Sequence, residues 1–300
     1  MSARNDSLST VAELRWPFSG WDAVEAGKVS VRELRRSYYP VYPGVYVPRA
    51  AELSATERAR AAWLWSKRRG VVAGLSAASV LGAKWIEPNQ PAELVHTNRR
   101  PPAGLLVHAD ELAPGETQLI DGMPVTTAAR TGFDIGRHTP LTAAVQRIDA
   151  LMNATDVKLV DIEAVIVGHP GARGLRQLRR TLDLVDGGAE SPYESLTRLL
   201  LVQAGFPRPE TQIPVFDEYG FVVARIDMGW RKWRVGVDFE GAQHWTDSKQ
   251  RTRDVERYGR LPELGWTDIR LTSGMLHNQP EVFLNRVGAA LIAHGCPKTW

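Results

Sequence analysis

The 300-residue chain contains a single cysteine, Cys296. One thiol excludes an internal disulfide and any cysteine-built zinc site. No apolar run approaches the roughly 20 residues needed to span a bilayer. The first residues, MSARNDSLSTVAELRW, have neither the basic start nor the apolar stretch of a secretory signal. Those absences make a cytoplasmic protein without a membrane partner the expectation. Low-complexity tracts and repeats with a period of about 20–50 residues are also missing, which argues against a solenoid. Charge of one sign is scarce: 37 Lys and Arg face 34 Asp and Glu, for a net charge of +3. That balance permits nucleic-acid binding but does not argue for it, so the placement of the arginines decides.

At about 150 residues per domain the length suggests two domains. Near the N-terminus, SGWDAVEAGK and SVRELRRS predict two short helices. Ser19 is a candidate N-cap, and Ser30 with Glu33 has capping-box spacing. YYPVYPGVYVP then breaks the helix and resumes as a strand. Helix, turn, basic helix and strand outline a shortened helix-turn-helix with a wing, in which Arg32, Arg35 and Arg36 can track phosphates or form a solvated face. SATERARAAWLWSKRR predicts an amphipathic helix capped by Ser54 and Glu57, and LSAASVLG a second helix. Short strands follow between 92 and 125, then helices from 126 to 185. The last of these carries Arg173, Arg176, Arg179 and Arg180, a pattern typical of a solvated face. The loop DGGAESP, residues 186 to 192, marks the best boundary.

Beyond it, SPYESLTRLLLVQAG predicts a helix with Ser191 as N-cap, Pro192 at its first position and Gly205 as its stop. TQIPVF, FVVARIDMGW and WRVGVDFEG alternate as strands; a helix, the strand WTDIRLT and a closing helix complete the chain. Side chains two apart in a strand share a face. Val222, Ala224, Ile226 and Met228 therefore point one way, and Arg225 and Asp227 the other. In the next strand Val235, Val237 and Phe239 oppose Asp238 and Glu240. A hairpin of these strands merges the apolar faces into a core and brings Asp227, Asp238 and Glu240 to one side. Carboxylates about 7 Å apart repel by about 2–3 kcal/mol at an effective dielectric near 20. The relief is protonation, nearby arginines such as Arg225, Arg234 and Arg270, or a divalent cation. Hard oxygen ligands on rigid strands suit Mg²⁺ or Mn²⁺.

The run from ESPYESLTRLLLVQAGFPRPETQ through ARIDMGW, VGVDFEGAQHW, RDVERYGRLPELGW and IRLT resembles the domain related to very-short-patch repair endonucleases, within the PD-(D/E)XK nuclease superfamily. Glu194, Asp227, Asp238, Glu240, Gly241 and His244 fall on the positions of its motifs. Residues 228 to 237 separate the first two aspartates, as in that family. The likeness covers residues 189 to 293. The N-terminal part is similar to proteins that join such a domain to a winged-helix segment of the AbiEi antitoxin type, through GVYVP, LSAASVLG and DGMPVTTAARTGFDIGR; its helix-turn-helix is shortened. Two features depart from the nuclease pattern. Asp238-x-Glu240-Gly stands where members more often have Glu-x-Asp-Gly, and Glu240 occupies the place of the superfamily's lysine, which related families also lack.

The resemblance implies an α/β (α+β) chain in three parts: a winged-helix-like segment over 1–53, an α/β middle region over 54–188, and a restriction-endonuclease-like domain over 189–300, a mixed sheet flanked by helices. It implies Mg²⁺- or Mn²⁺-dependent hydrolysis of DNA phosphodiesters. Asp227 and Asp238 would be the principal metal ligands, with Glu240 and Glu194 in support. His244 or Glu240 would accept a proton, although His244 is also explained as a structural residue. Arg270, read from its place on the strand TDIRLT, either stabilises transition-state charge or simply balances the acids. Glu194 is also explained by a capping box with Ser191. Lys249, Arg251, Arg253 and Arg257, with Trp230, Trp233 and Trp245, are candidates for a groove that tracks the DNA backbone; the tryptophans also suit a core. The competing expectation is a non-catalytic DNA-binding regulator or antitoxin that docks a cognate toxin through a degenerate nuclease-like domain. A toxin acting on RNA is a third.

Overall fold

The computed structural model describes residues 14–98, 100–240 and 259–300. The chain forms two compact units, one of Met1–Pro140 with Ala154–Leu182 and one of Leu141–Asn153 with Asp183–Trp300. The fold is mixed α/β, with three sheets flanked by helices among the described residues. No helix there is long and apolar enough to cross a membrane.

The first unit opens with β1 (Phe18–Ser19), α1 (Gly20–Glu25), α2 (Val31–Ser37), β2 (Tyr38–Tyr42) and β3 (Val45–Pro48), whose strands form a sheet in the order β1-β3-β2. Ser19 and Ser30 cap the two helices by accepting the N–H of Asp22 and Glu33. Leu34 is the buried residue of α2, and it joins Phe18, Ala23, Val29 and Tyr38 in a small core. Arg49 donates to the carbonyls of Arg35 and Arg36, both at 3.0 Å, which satisfies orphan acceptors at the end of α2.

A five-stranded sheet, ordered β6-β5-β4-β8-β7, follows. Its strands are β4 (Val71–Val72), β5 (Ala92–Val95), β6 (Leu105–His108), β7 (Thr117–Ile120) and β8 (Met123–Thr126). It packs with α3 (Ala55–Trp65) and α4 (Gly74–Val80) around Ala59, Ala62, Val72, Ala77, Leu94 and Val125. Ser54 and Glu57 form the expected reciprocal capping box. Helices α5 (Ala128–His138), α7 (Leu159–Gly168) and α8 (Leu175–Leu182) complete this unit.

The second unit takes most of α6 (Leu141–Ala154) and then α9 (Pro192–Gln203). Its sheet runs β9 (Glu210–Phe216), β10 (Val222–Trp230), β11 (Val235–Glu240), β12 (Thr267–Thr272) in spatial order. The first three strands are antiparallel neighbours, and β12 lies parallel to β11. Residues 259–263 are helical, and α10 (Ser273–Asn278) and α11 (Pro280–Ala293) close the chain.

The face assignment differs from the one the alternation predicts. Met228, Trp230, Val235 and Val237 pack with Leu201, Ile269, Phe283 and Val287. Ala224 and Ile226 instead join Ile213, Val215, Leu261 and Trp266 in a separate cluster. A Cβ on Gly236 would come within 2.9 Å of an Ile226 methyl carbon, so Ile226 lies over the face that Gly236 presents. Two residues apart, Ile226 and Met228 therefore sit on opposite sides. Ile226 pairs with Ile213 and Met228 with Thr211. Between those pairs lie Asp227 and Gln212, and Gln212 is left-handed at φ 51°, a conformation that disturbs strand alternation. The sheet is apolar on both sides here, and no single apolar face opposes an acidic one.

Candidate active site

The irregularity at Asp227 builds the site. Regular pairing of β10 with β11 runs from Trp230↔Val235 to Met228↔Val237. At the next step the side chains enter the ladder. Asp238 Oδ1 accepts the backbone N–H of Asp227 at 2.7 Å, and Asp227 Oδ2 accepts that of Phe239 at 2.9 Å. Each aspartate thus holds the other's strand, and the two carboxylates are brought together at the end of the regular ladder. Asp238 is only 2% exposed. Charge buried to that degree is tolerated only with such partners.

Glu194 approaches from α9. Ser191 caps that helix and Pro192 opens it, which places Glu194 in the first turn, near the positive end of the helix dipole. Its carboxyl accepts from Ser191 Oγ at 2.8 Å, the Glu190 N–H at 2.9 Å and Gln212 Nε2 at 3.3 Å. Burial, and next the charge of Asp227, push its pKa from 4.5 up to about 7. Gln212, the residue that breaks the alternation, also ties Glu194 to the sheet.

The third acid of the strand pair goes elsewhere. Glu240 accepts from Arg270 Nη1 at 2.9 Å, and Arg270 also lies 3.7 Å from Asp268. Arg270 stands beside Asp238 in the β11–β12 register. Arg225 pairs with Glu190 at 2.9 Å, and Arg234 donates to the Leu264 carbonyl at 3.2 Å. Among the described residues, no three His, Cys, Asp or Glu side chains form a group able to hold a metal ion. The structure brings Asp227 to Asp238, couples Glu194 electrostatically to Asp227, and engages Glu240 with Arg270.

Of the remaining candidates, Arg32, Arg35 and Arg36 are exposed on α2. Trp230 is buried in the core, its indole N–H donating to the Pro207 carbonyl at 2.8 Å. Trp233 packs half-buried against that core, so neither tryptophan lines an open groove. Arg173, Arg176, Arg179 and Arg180 are exposed, as a solvated helix face should be. His244, Trp245, Lys249, Arg251, Arg253 and Arg257 lie outside the described residues.

Two polar networks escape sequence reasoning. In the second unit Arg198, fully buried, meets Asp149 of α6 at 2.6 Å. Asp149 also accepts from Ser195 Oγ and the Asp186 N–H, each at 2.6 Å. In the first unit Arg130 and Arg137 are buried with Asp134 and Glu116. The only sequence sign of this second network is the (i, i+4) and (i, i+3) spacing of those arginines to Asp134.

No protein-family model matches the chain, and no solved structure does. Two uncharacterized proteins of Mycobacterium tuberculosis are similar to it: Rv2248 of strain H37Rv and MT2308 of strain CDC 1551. Each is 29% identical over 195 residues, which cover 65% of this chain and 69% of the relative.

Proposed function

We propose that the second unit is a metal-dependent endonuclease of the PD-(D/E)XK type that hydrolyses DNA phosphodiester bonds at Asp227 and Asp238. One observation carries this reading: the reciprocal insertion of those two carboxylates into each other's strands at 2.7 and 2.9 Å. Such an arrangement serves no stability purpose that ordinary ladder bonds would not serve without burying charge. The order of α9, three antiparallel strands, a helical segment and a parallel strand agrees with the fold that the resemblance implies.

The reading calls for Mg²⁺ or Mn²⁺, which two carboxylates can hold. Mg²⁺ is commonly held by one or two carboxylates, with waters and substrate phosphate filling the other positions, so a third acid is not required. A carboxylate has two acceptor oxygens, and a backbone N–H on one does not prevent cation binding through the other. When bound, the ion would polarise the phosphoryl oxygen and lower the pKa of a water. Asp227 and Asp238 would hold it. Glu194, with a pKa of about 7, carries a proton part of the time at neutral pH and would ionise fully as the cation enters. Arg270 holds Glu240 away and offers positive charge beside Asp238. His244 is the proposed proton acceptor.

Plasmid nicking with Mg²⁺ or Mn²⁺ tests this reading. Asp227→Asn and Asp238→Asn keep an acceptor for the backbone N–H groups and should each abolish nicking. Cleavage that survives both substitutions refutes the assignment.

A second reading has its own observation. The β1-β3-β2 sheet, with α1 and α2 between β1 and β2 in the chain, is compatible with the winged-helix segment that the resemblance implies, and α2 exposes Arg32, Arg35 and Arg36. A DNA-binding regulator or antitoxin, paired with a cognate toxin, follows if tight binding to one duplex occurs with no cleavage under any metal.

A further inference from the structure

Helix α3 ends in a turn that sets three cations in a row on the surface. Lys67, Arg68 and Arg69 are all exposed. The backbone closes the helix as a Schellman motif: the Lys67 N–H donates to the Leu64 carbonyl at 2.9 Å, and the Arg68 N–H to the Trp63 carbonyl at 3.1 Å. Ser66 Oγ braces the turn, accepting the Gly70 N–H at 2.9 Å and donating to the Trp63 carbonyl at 2.6 Å.

That motif turns on a left-handed residue just past the helix, a position that usually falls to glycine and sometimes to asparagine. Here it is Lys67, at φ 56°, and Arg68 follows at φ 62°. An L side chain at such an angle crowds its own backbone, and conformations of this kind collect at functional sites. Attraction to the negative end of the helix dipole fades within a turn, and one cation on ordinary backbone would satisfy it. Two cations on left-handed backbone, with a third beside them, call for a partner of opposite charge.

The described surroundings do not supply it. Arg68 takes Asp22 of α1, and Arg15 takes Asp121 at 3.3 Å. Neither Lys67 nor Arg69 forms an ion pair among the described residues. Arg60 of α3 is held below the usual arginine range by burial first and next by the charge of Arg15; Asp121 opposes the shift and Arg68 adds to it. Five cations, Arg15, Arg60, Lys67, Arg68 and Arg69, thus share two carboxylates, and four of the five are exposed. The Arg68–Asp22 pair also ties the turn to α1, whose Ala23 shares a small core with Leu34 of α2. Turn, α1 and α2 are therefore joined within the first unit, and α2 exposes Arg32, Arg35 and Arg36. A small anion can meet only one of these two basic groups. A nucleic-acid backbone, with its charges regularly spaced, can meet both.

We propose that Lys67 and Arg69 each take a phosphate of the DNA duplex that α2 engages, as a second backbone contact of the first unit. Contacts of this kind fix the position of a protein on the duplex without reading its sequence. The proposal rests on the DNA-binding reading of the first unit and is independent of hydrolysis at Asp227 and Asp238.

Fluorescence anisotropy on a labelled DNA duplex of mixed sequence, with the full-length protein in chelator across a salt series, tests it. Lys67→Gly combined with Arg69→Ala removes both cations and leaves the Arg68–Asp22 pair in place. Glycine suits φ 56°, so the thermal midpoint of this variant should match or exceed that of the wild type. Its slope of log affinity against log salt should flatten by about 0.9 for each of the two phosphates. The advantage of the wild type should therefore shrink about tenfold between about 50 and about 200 mM salt. Lys67→Arg combined with Arg69→Lys keeps both charges and should keep the slope; a slope lost there as well overturns the proposal. An unchanged slope in the first variant, while Arg35→Ala with Arg36→Ala flattens it, overturns this contact and leaves DNA binding through α2 standing. No duplex binding by the wild type removes both. Loss of binding to phosphatidylserine vesicles in the first variant, with duplex binding intact, assigns the turn to a lipid surface and also overturns the proposal.

Discussion

Replacing Glu194 by Gln separates the electrostatics of the candidate site from its hydrogen bonding. In the folded protein the Glu194 pKa stands at about 7, raised from 4.5 first by burial and then by Asp227. A raised pKa means that the folded state binds the proton more tightly than the unfolded state. The associated stability is fully present below 4.5 and is lost as pH rises through about 7. At about 1.36 kcal/mol per pH unit, the displacement is worth about 3 kcal/mol, most of it between about pH 5 and about pH 8. The glutamine variant cannot titrate. It forfeits one acceptor oxygen among the contacts with Ser191, Glu190 and Gln212, a cost of about 1–3 kcal/mol that is the same at every pH. Urea unfolding of both proteins in chelator, across that interval, reads the difference. Wild type should lose about 2–3 kcal/mol relative to the variant as pH rises. A gap constant to within about 1 kcal/mol would show that Glu194 is not buried against the charge of Asp227.

The other predictions concern individual side chains. Asp238→Ala strips the Asp227 N–H of its acceptor and should cost about 1–3 kcal/mol in urea unfolding, while Asp238→Asn costs less; equal costs would show that the 2.7 Å bond does not form. Asp149→Ala leaves the buried Arg198 guanidinium without its counter-charge and should destabilise by about 3–5 kcal/mol, visible as a lower Tm. Arg35→Ala combined with Arg36→Ala should flatten the slope of log affinity against log salt by about 0.9 for every phosphate no longer neutralised, measured by anisotropy on a DNA duplex; an unchanged slope removes α2 from the interface. Ser54→Ala breaks the capping box and should cost about 1 kcal/mol.

The parts of the molecule governed by local rules are readable from the sequence. Ser54 with Glu57, and Ser191 followed by Pro192, mark the starts of α3 and α9 because a cap depends on residues within one turn. The spacing of Asp227 and Asp238 is enough to suggest their meeting, because hairpin register follows from a short connection. Glu240 shares parity with Asp238, but parity does not reveal that Arg270, on a strand much later in the chain, takes its carboxylate. The face switch at Ile226 is hidden for a related reason. It depends on the left-handed backbone of Gln212 on the neighbouring strand, and alternation along β10 alone carries no sign of it. Strands β1 and β4, two residues each, are too short for any period. Arg130, Arg137 and Arg198 read as surface residues by type; their burial depends on carboxylates that folding brings from distant segments.

The path of the backbone has a consequence for any attempt to divide this molecule. After Pro140 the chain leaves the first unit, contributes α6 to the second, returns for α7 and α8, and crosses again after Leu182. A polypeptide cut at residue 183 would carry every acid of the candidate site yet lack Asp149. Arg198, the Ser195 hydroxyl and the Asp186 N–H would together lose their shared acceptor. Excision, transplantation or shuffling of the second unit must therefore start before α6 and carry α7 and α8 along, or supply α6 as a separate peptide.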